Sequence, residues 1–184
     1  TTGMWAASKH IVELGAVRCT GNGTIISEFQ SLINPGRPMP PEVIPIHGIT
    51  DEMVQDAPYA SHVLTEFLEF AKSADFLIAH NAPFDLSFVR WEAKRSNIQL
   101  PDVPVLDSCS LARVLLPGFT SYSLENISRS LGFIEKQTHR ALGDAVLVAK
   151  LTTNILEVVR RLSPEVLERV LNPVPLNTPL DEAT

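Results

Sequence analysis

A predicted hairpin, followed by alternating strands and helices, constrains the fold of this chain most strongly. Residues 11–19 and 24–33 are rich in apolar and β-branched side chains, and the turn signal Gly21-Asn22-Gly23 separates them. Further along, helical periodicity at 61–72 precedes a short apolar run at 75–79. This order predicts an α/β fold with a mixed central β-sheet flanked by helices, in which the hairpin supplies the antiparallel part.

Turn and capping residues set the expected bounds of the remaining elements. Five prolines between residues 35 and 45 disfavour regular structure there. Asp107 has the residue type of a helix N-cap. The other predicted elements are a helix capped by Thr50 or Asp51, a helix at 84–96 after Pro83, a strand at 103–106, and helices at 108–116, 123–131, 140–162 and 163–171. We assign residues 1–162 to one domain and 163–184 to a C-terminal helix and an extended, proline-rich tail or linker.

Composition excludes several classes of protein. With 45% hydrophobic and 20% charged residues the chain can bury a core, and no apolar run approaches the roughly 18 residues of a membrane span. Cys19 and Cys109 lie outside any CxxC pattern, which disfavours a disulfide framework or a zinc site and predicts the cytoplasm. The net charge of −6 disfavours non-specific coating of nucleic acid, although it permits an enzyme that holds only a strand end.

Two polar segments lie next to predicted helix starts. In AHNAPFD (79–85), Asp85 falls in the first turn of a helix, after a strand end where α/β proteins bind ligands. In HRALGDA (139–145), His139 precedes a long helix and Asp144 lies near its start. Helix N-termini favour ionised carboxylates, which suit metal ions, and histidine titrates near neutrality, which suits a general base. Taken singly, the segments are more typical of a capping acid and a solvated histidine.

Taken together, the segments resemble the DEDDh branch of the DEDD superfamily of 3′→5′ exonucleases, which is related to the proofreading subunit of bacterial DNA polymerase III. The resemblance covers residues 1 to about 162. It is carried by TTG (1–3), IVELGAV (11–17), HGIT (47–50), AHNAPFD, LDSCSLAR (106–113), YSLENISRSLG (122–132) and HRALGDA. It implies a ribonuclease H-like fold and metal-dependent release of nucleoside 5′-monophosphates from a DNA 3′ end.

The resemblance also implies four carboxylates that hold two divalent cations, Mg²⁺ or Mn²⁺. Asp85 and Asp144 match the acids of the second and third motifs, and His139 matches the histidine that activates the attacking water. The other two acids belong to an Asp-x-Glu on a first strand, expected directly before Thr1 and absent from this sequence. Because two carboxylates hold less charge than four, we expect weak metal binding and little turnover from these 184 residues alone.

Substrate contacts follow more loosely from the resemblance. The candidate substrate-binding residues are Thr2, Gly3, Met4, His47, Asn81 and Phe84. At the position of Met4, where the family places a side chain against the terminal nucleotide, leucine is commoner than methionine. A buried core position is an equal alternative for Phe84, a turn position is an equal alternative for His47, and His80 is expected to be structural.

The expected partner is the 3′ end of single-stranded nucleic acid, with DNA preferred over RNA. A polymerase, another replication or repair protein, or fusion to a larger chain is also expected, and a membrane is not. Two other functions stay open: an exoribonuclease that trims RNA ends, and a non-catalytic module that holds nucleic acid or a protein partner because the Asp-x-Glu is absent.

Overall fold

The computed structural model describes residues 1, 10–133, 139–171 and 174–179. The predicted hairpin is present: β1 (Glu13–Cys19) pairs antiparallel with β2 (Ile25–Leu32), and Glu13 lies opposite Leu32. Gly23 closes the turn with a φ of 86° and donates its N–H to the Thr20 carbonyl oxygen at 2.8 Å. Glycine suits this position because a positive φ is strained for other residues.

A second sheet combines parallel and antiparallel pairing. The prediction that the hairpin supplies its antiparallel part is wrong for the described residues, because the hairpin forms a two-stranded sheet of its own and a C-terminal strand takes that place. Strand β3 (Leu77–Ala79) lies parallel to β4 (Pro104–Asp107), and β5 (Val174–Pro175) pairs antiparallel with β4. Ala79 is the register partner of Asp107, so β3 and β4 end side by side. The chain segments that follow these two strands therefore start next to each other.

Helices occupy most of the rest of the described chain. They are α1 (Ile44–His47), α2 (Asp51–Val54), α3 (Ala60–Ala71), α4 (Ala82–Arg95), α5 (Ser108–Leu115), α6 (Leu124–Ser130), α7 (Ala141–Val159) and α8 (Pro164–Val170). Asp107 caps α5 as predicted, since its carboxylate accepts the Cys109 N–H at 3.0 Å. Helix α4 begins earlier than predicted because Pro83 occupies its first turn, where proline is tolerated, rather than preceding it. None of the described helices is long and apolar enough to cross a bilayer.

Helix α7 crosses β1 and carries the largest buried cluster of the described residues. Its apolar face packs against α5 and α6. The fully or nearly buried members are Leu111, Ala112, Leu124, Ile127, Leu147, Val148, Leu151 and Ile155. This packing fixes the axis of α7 on the sheet, and the start of α7 then depends on contacts with β1.

The described part of the C-terminal segment, residues 174–179, forms β5 and a following turn and packs on the domain. The Leu176 N–H donates to the Val103 carbonyl oxygen at 2.8 Å, and the Leu176 side chain is 2% exposed. The Arg90 guanidinium donates to the carbonyl oxygens of Pro175 and Leu176. The tail therefore covers an edge of β4 and joins the buried cluster under α4, a pairing that no sequence pattern indicated.

Candidate active site

The start of α4 is fixed by the carboxylate of Asp107 at the end of β4. This carboxylate accepts the backbone N–H groups of Asn81 at 2.8 Å and Ala82 at 3.3 Å, in addition to the Cys109 N–H and the Ser110 hydroxyl. Burial alone would raise the pKa of Asp107, but these hydrogen bonds outweigh it and hold the pKa below its usual value. Asp107 thus ties two helix N-termini together, whereas the sequence predicted only the α5 cap.

Asn81 and Phe84 occupy the turn into α4 and its first turn. Asn81 is exposed and has a left-handed φ of 66°, a conformation that asparagine adopts more readily than most residues. Phe84 is half-buried, and its ring centroid lies 5.1 Å from that of Phe88 in the core. The ring therefore belongs partly to the core, and the rest of its surface stays open to solvent.

His80 is structural, as expected. Its Nε2 lies 2.8 Å from the Tyr122 carbonyl oxygen, to which a ring N–H donates, and its Nδ1 lies 3.0 Å from Ser108 Oγ. Burial lowers the pKa of His80, which favours the neutral ring. The ring joins β3 to the segment before α6 and leaves no nitrogen for a ligand.

The start of α7 is held by Glu13 on β1, which sequence reasoning missed. Glu13 has a side chain 4% exposed, and its oxygens accept the Ala141 N–H at 2.8 Å and the Arg140 guanidinium at 2.7–3.1 Å. Burial alone would raise the pKa of Glu13, but the hydrogen bonds from Arg140, Ala141 and Gln30 bring it below its usual value. The signal was visible as a single acid inside an otherwise apolar strand.

Gly15 allows α7 to lie directly on β1. A Cβ at this position would fall 2.6 Å from the Ala141 carbonyl carbon and 2.8 Å from the Leu142 Cα. Real Cβ atoms do not approach backbone this closely, so any other residue at position 15 would displace the start of α7. The same contact sets the distance between β1 and the first turn of α7, in which Asp144 lies.

Asp85 and Asp144 lie close enough for their charges to repel each other. Asp85 is partly open to solvent, yet the surrounding protein displaces much of its water. This burial is the largest of several causes that together raise the pKa of Asp85 to about 6. The negative charges of Asp144 and Asp107 contribute to this rise in pKa, and a backbone hydrogen bond to the carboxylate opposes it. Helices α4 and α7 thus bring two predicted metal-binding carboxylates into one site.

Thr1 and His47 border the same site. Thr1 lies near Glu13 and Asp85. His47 Nδ1 accepts the Ile49 N–H at 3.0 Å, which fits the predicted turn role, and burial lowers the pKa of His47. His47 therefore closes its own turn and lies near Thr1.

The third member of the predicted catalytic set, His139, lies just before α7. It is exposed and has a left-handed φ of 52°, and the following residue is the Glu13-bound Arg140. The predicted contacts of Thr2, Gly3 and Met4 lie outside the described residues. Of the predicted site residues, the structure brings together Asp85, Asp144 and His47.

These features define a class: a mixed α/β fold in which two helix N-termini direct carboxylates into one open site. A family model described as "Exonuclease", RNase_T, matches residues 1–152. The chain belongs to this exonuclease family, within the DEDD superfamily of 3′→5′ exonucleases, which confirms the predicted family and its enzyme class, hydrolases that act on phosphodiester bonds.

Curated relatives give the same family. The chain is 37% identical over 158 residues to a DNA polymerase III PolC-type of Bacillus subtilis (strain 168), a match of 85% of this chain and 11% of that protein. It is 35% identical over 160 residues to the 3′-5′ exonuclease DinG of the same strain, covering 87% of this chain and 17% of the relative. The chain therefore spans only a small part of these relatives.

Solved structures confirm the predicted ribonuclease H-like fold. Exonuclease X, solved in complex with 5′ overhanging duplex DNA, is 26% identical with a TM-score of 0.69, and the match covers 92% of this chain and 94% of that one. E. coli Exonuclease I in complex with a dT13 oligonucleotide has a TM-score of 0.75 at 16% identity, covering 88% and 40% of the two chains. At that lower identity the likeness concerns the fold alone.

Proposed function

We propose that this chain is a metal-dependent exonuclease domain that removes nucleoside 5′-monophosphates from the 3′ end of single-stranded DNA. Asp85 and Asp144 bind divalent cations, and His139 is the general base. One observation carries the proposal: Asp85 in the first turn of α4 and Asp144 in the first turn of α7 interact electrostatically, and burial first, then the charge of Asp144, raises the pKa of Asp85. A divalent cation relieves that repulsion.

The donor atoms fit Mg²⁺ or Mn²⁺, which prefer carboxylate oxygens over thiolates. Among the described residues, no group of three or more His, Cys, Asp and Glu side chains could by itself hold a metal ion. Asp85 and Asp144 supply two carboxylates, and further ligands would have to come from elsewhere. The Thr1 amino nitrogen interacts with Asp85, so carboxylates placed directly before residue 1 in a longer chain would join this site. Such ions, when bound, supply a nucleophilic hydroxide and neutralise charge on the phosphate.

His139 suits the role of the base because its side chain is exposed and an imidazole nitrogen can accept a proton. It directly precedes Arg140, which Glu13 holds at the start of α7. Its backbone is therefore fixed beside the helix that carries Asp144, and from there His139 takes a proton from the attacking water. The residues that border the terminal nucleotide are His47, Asn81 and Phe84.

DNA is the proposed substrate because Exonuclease X, the 26% identical neighbour, was solved with a DNA duplex carrying a 5′ overhang. A polymerase or another replication or repair protein is the proposed partner. Support for it comes from the PolC-type relatives, in which the matching segment is 11% of the protein.

The test uses 5′-labelled single-stranded DNA and RNA of the same sequence with the full-length protein. We expect a ladder that shortens from the 3′ end with Mg²⁺ and no cleavage in EDTA. Asp85→Asn and Asp144→Asn are each expected to lower the rate on the order of 10³-fold, because each removes a cation ligand. Asp75→Asn, an exposed acid before β3 and away from its carboxyl end, is the matched control.

Each other outcome selects a different function. Faster cleavage of the RNA would favour the exoribonuclease. Binding of the labelled strand without cleavage under any metal condition would favour the non-catalytic module. Undiminished cleavage by Asp85→Asn and Asp144→Asn would remove both residues from the site.

A further inference from the structure

We infer that Glu13 is a positioning residue for the proposed reaction, acting on His139 and Asp144 through Arg140 and the first turn of α7. The inference rests on the proposed function, since it assigns a cause to the placement of two residues in that site. It adds a role for a side chain on β1 that the proposed reaction does not itself use.

Glu13 contacts both Arg140 and the first residue of α7. One carboxylate oxygen accepts the N–H of Ala141, the first residue of α7, at 2.8 Å, and the Arg140 fork spans both oxygens at 2.7–3.1 Å. The Asp144 N–H in turn donates to the Arg140 carbonyl oxygen at 2.9 Å. Glu13 therefore fixes the residue that follows His139 and the turn that carries Asp144.

The choice of a carboxylate follows from what it must bind. A helix N-terminus presents N–H donors and partial positive charge, and Arg140 adds a full positive charge at the same place. An ionised acid accepts from both, and charge-assisted bonds of this kind are shorter and stronger than neutral ones. Gln30 Nε2 also donates to Glu13 at 2.9 Å, so the buried carboxylate is fully engaged.

Glu92 provides a comparison for the argument, because it is also a buried carboxylate paired with an arginine. Its side chain is 1% exposed and accepts from Arg95, but it lies near the C-terminal end of α4, far along that helix from Asp85. Loss of Glu92 thus tests the cost of breaking a buried ion pair without moving a helix start.

The experiment compares Glu13→Gln with Glu92→Gln in the full-length protein. For Glu13→Gln we expect kcat to fall about 10–100-fold with little change in KM, as is typical when a side chain supporting a metal ligand is altered. In the metal-free protein, amide hydrogen exchange at residues 141–144 is expected to speed up about tenfold, because the helix start opens locally. Glu92→Gln is expected to change neither quantity.

Arg140→Lys serves as the second variant, since it keeps the charge and loses the fork. It is expected to fall between the wild type and Glu13→Gln in both measurements, and it carries the test if Glu13→Gln does not fold. Unchanged kcat, or unchanged exchange at 141–144, in folded variants would overturn the inference. Asp85→Asn, measured alongside, separates the two proposals: if Asp85→Asn stays active, the proposed site itself is wrong.

Discussion

The N-termini of α4 and α7 are held by the same kind of contact but by differently charged donors. Before each helix lies a residue with a left-handed φ, Asn81 in one case and His139 in the other. A carboxylate from a neighbouring strand then accepts the first N–H of the helix: Asp107 for α4 and Glu13 for α7. Each helix carries a site carboxylate in its first turn.

The two anchors differ in their surroundings. Asp107 is half-buried and accepts from uncharged groups, namely three backbone N–H groups and the Ser110 hydroxyl. The Glu13 side chain is almost completely buried and binds an arginine. Removal of one partner from a buried ion pair leaves an unpaired buried charge. At a half-buried site, water can take the place of part of the lost neutral hydrogen bonds. Loss of the carboxylate at the start of α7 is therefore expected to lower activity more than loss of the carboxylate at the start of α4.

The largest expected effect comes from His139, which has no catalytic counterpart before α4. His139→Ala is expected to lower kcat by about 10²–10⁴-fold while metal binding is retained, because only proton transfer is lost. Single-turnover kinetics and Mn²⁺ titration measure the two quantities. His62→Ala, an exposed histidine on α3, is the control. Near wild-type turnover by His139→Ala would show that another group is the base.

Gly15→Ala tests the steric half of the α7 anchor. The added Cβ would displace the start of α7, and we expect a loss of kcat on the order of 10²-fold, as for an ångström-scale misplacement of a catalytic group. A stability loss of about 1–3 kcal/mol should accompany it. Gly21→Ala is the matched control, since a Cβ there meets no atom within 4 Å. Equal kcat values for Gly15→Ala and Gly21→Ala would mean that the distance between α7 and β1 does not affect the reaction.

Asp107→Ala tests the α4 anchor. It removes the acceptor of two helix starts, so we expect a stability loss of about 1–2 kcal/mol and a decrease in kcat of roughly tenfold. Ser123→Ala removes the α6 cap, whose hydroxyl oxygen accepts the Asn126 N–H at 3.3 Å, and is expected to lower stability without lowering kcat. If Asp107→Ala lowers kcat more than Glu13→Gln does, the start of α4 rather than that of α7 is the more sensitive of the two.

Asp85→Asn is expected to stabilise the metal-free protein by on the order of 1 kcal/mol near neutral pH. The pKa of Asp85 is about 6 in the folded chain and 3.8 is its ordinary value, so ionisation above pH 6 disfavours folding. Solvent access to the side chain reduces the size of the effect. Thermal unfolding in EDTA measures it, and the gain should disappear as pH falls through 6 toward 3.8, where both states become protonated. A constant gain at all pH values would contradict this cause.

The sequence predicted the features that neighbouring residues determine at these helix starts, and it missed the contacts between residues far apart in the chain. The hairpin, the α5 cap at Asp107 and the acids at the starts of α4 and α7 are encoded by neighbouring residues, and the structure has all of them. Glu13 and Ala141 are 128 residues apart, so no spacing pattern linked them. The pairing of β5 with β4 was missed for the same reason, because only tertiary structure brings residue 174 to residue 105.

The predicted substrate-binding residues show the same difference between local contacts and contacts that depend on several elements. The structure assigns His47 a turn contact and Phe84 a contact with Phe88, both of which were stated as alternatives from local sequence. Contacts with a nucleotide depend on the shape of a site assembled from several elements, and the candidate roles of Thr2, Gly3 and Met4 stay predictions.

The most direct test of the central claim is the pKa of Asp85, measured by carbon-13 NMR of the aspartate carboxyl groups with and without Mg²⁺. If Asp85 and Asp144 share one cation site, the pKa of about 6 falls when Mg²⁺ binds, and it also falls in Asp144→Asn without metal. A pKa that stays near 6 at saturating Mg²⁺ would contradict the claim that these two helix starts form a metal site.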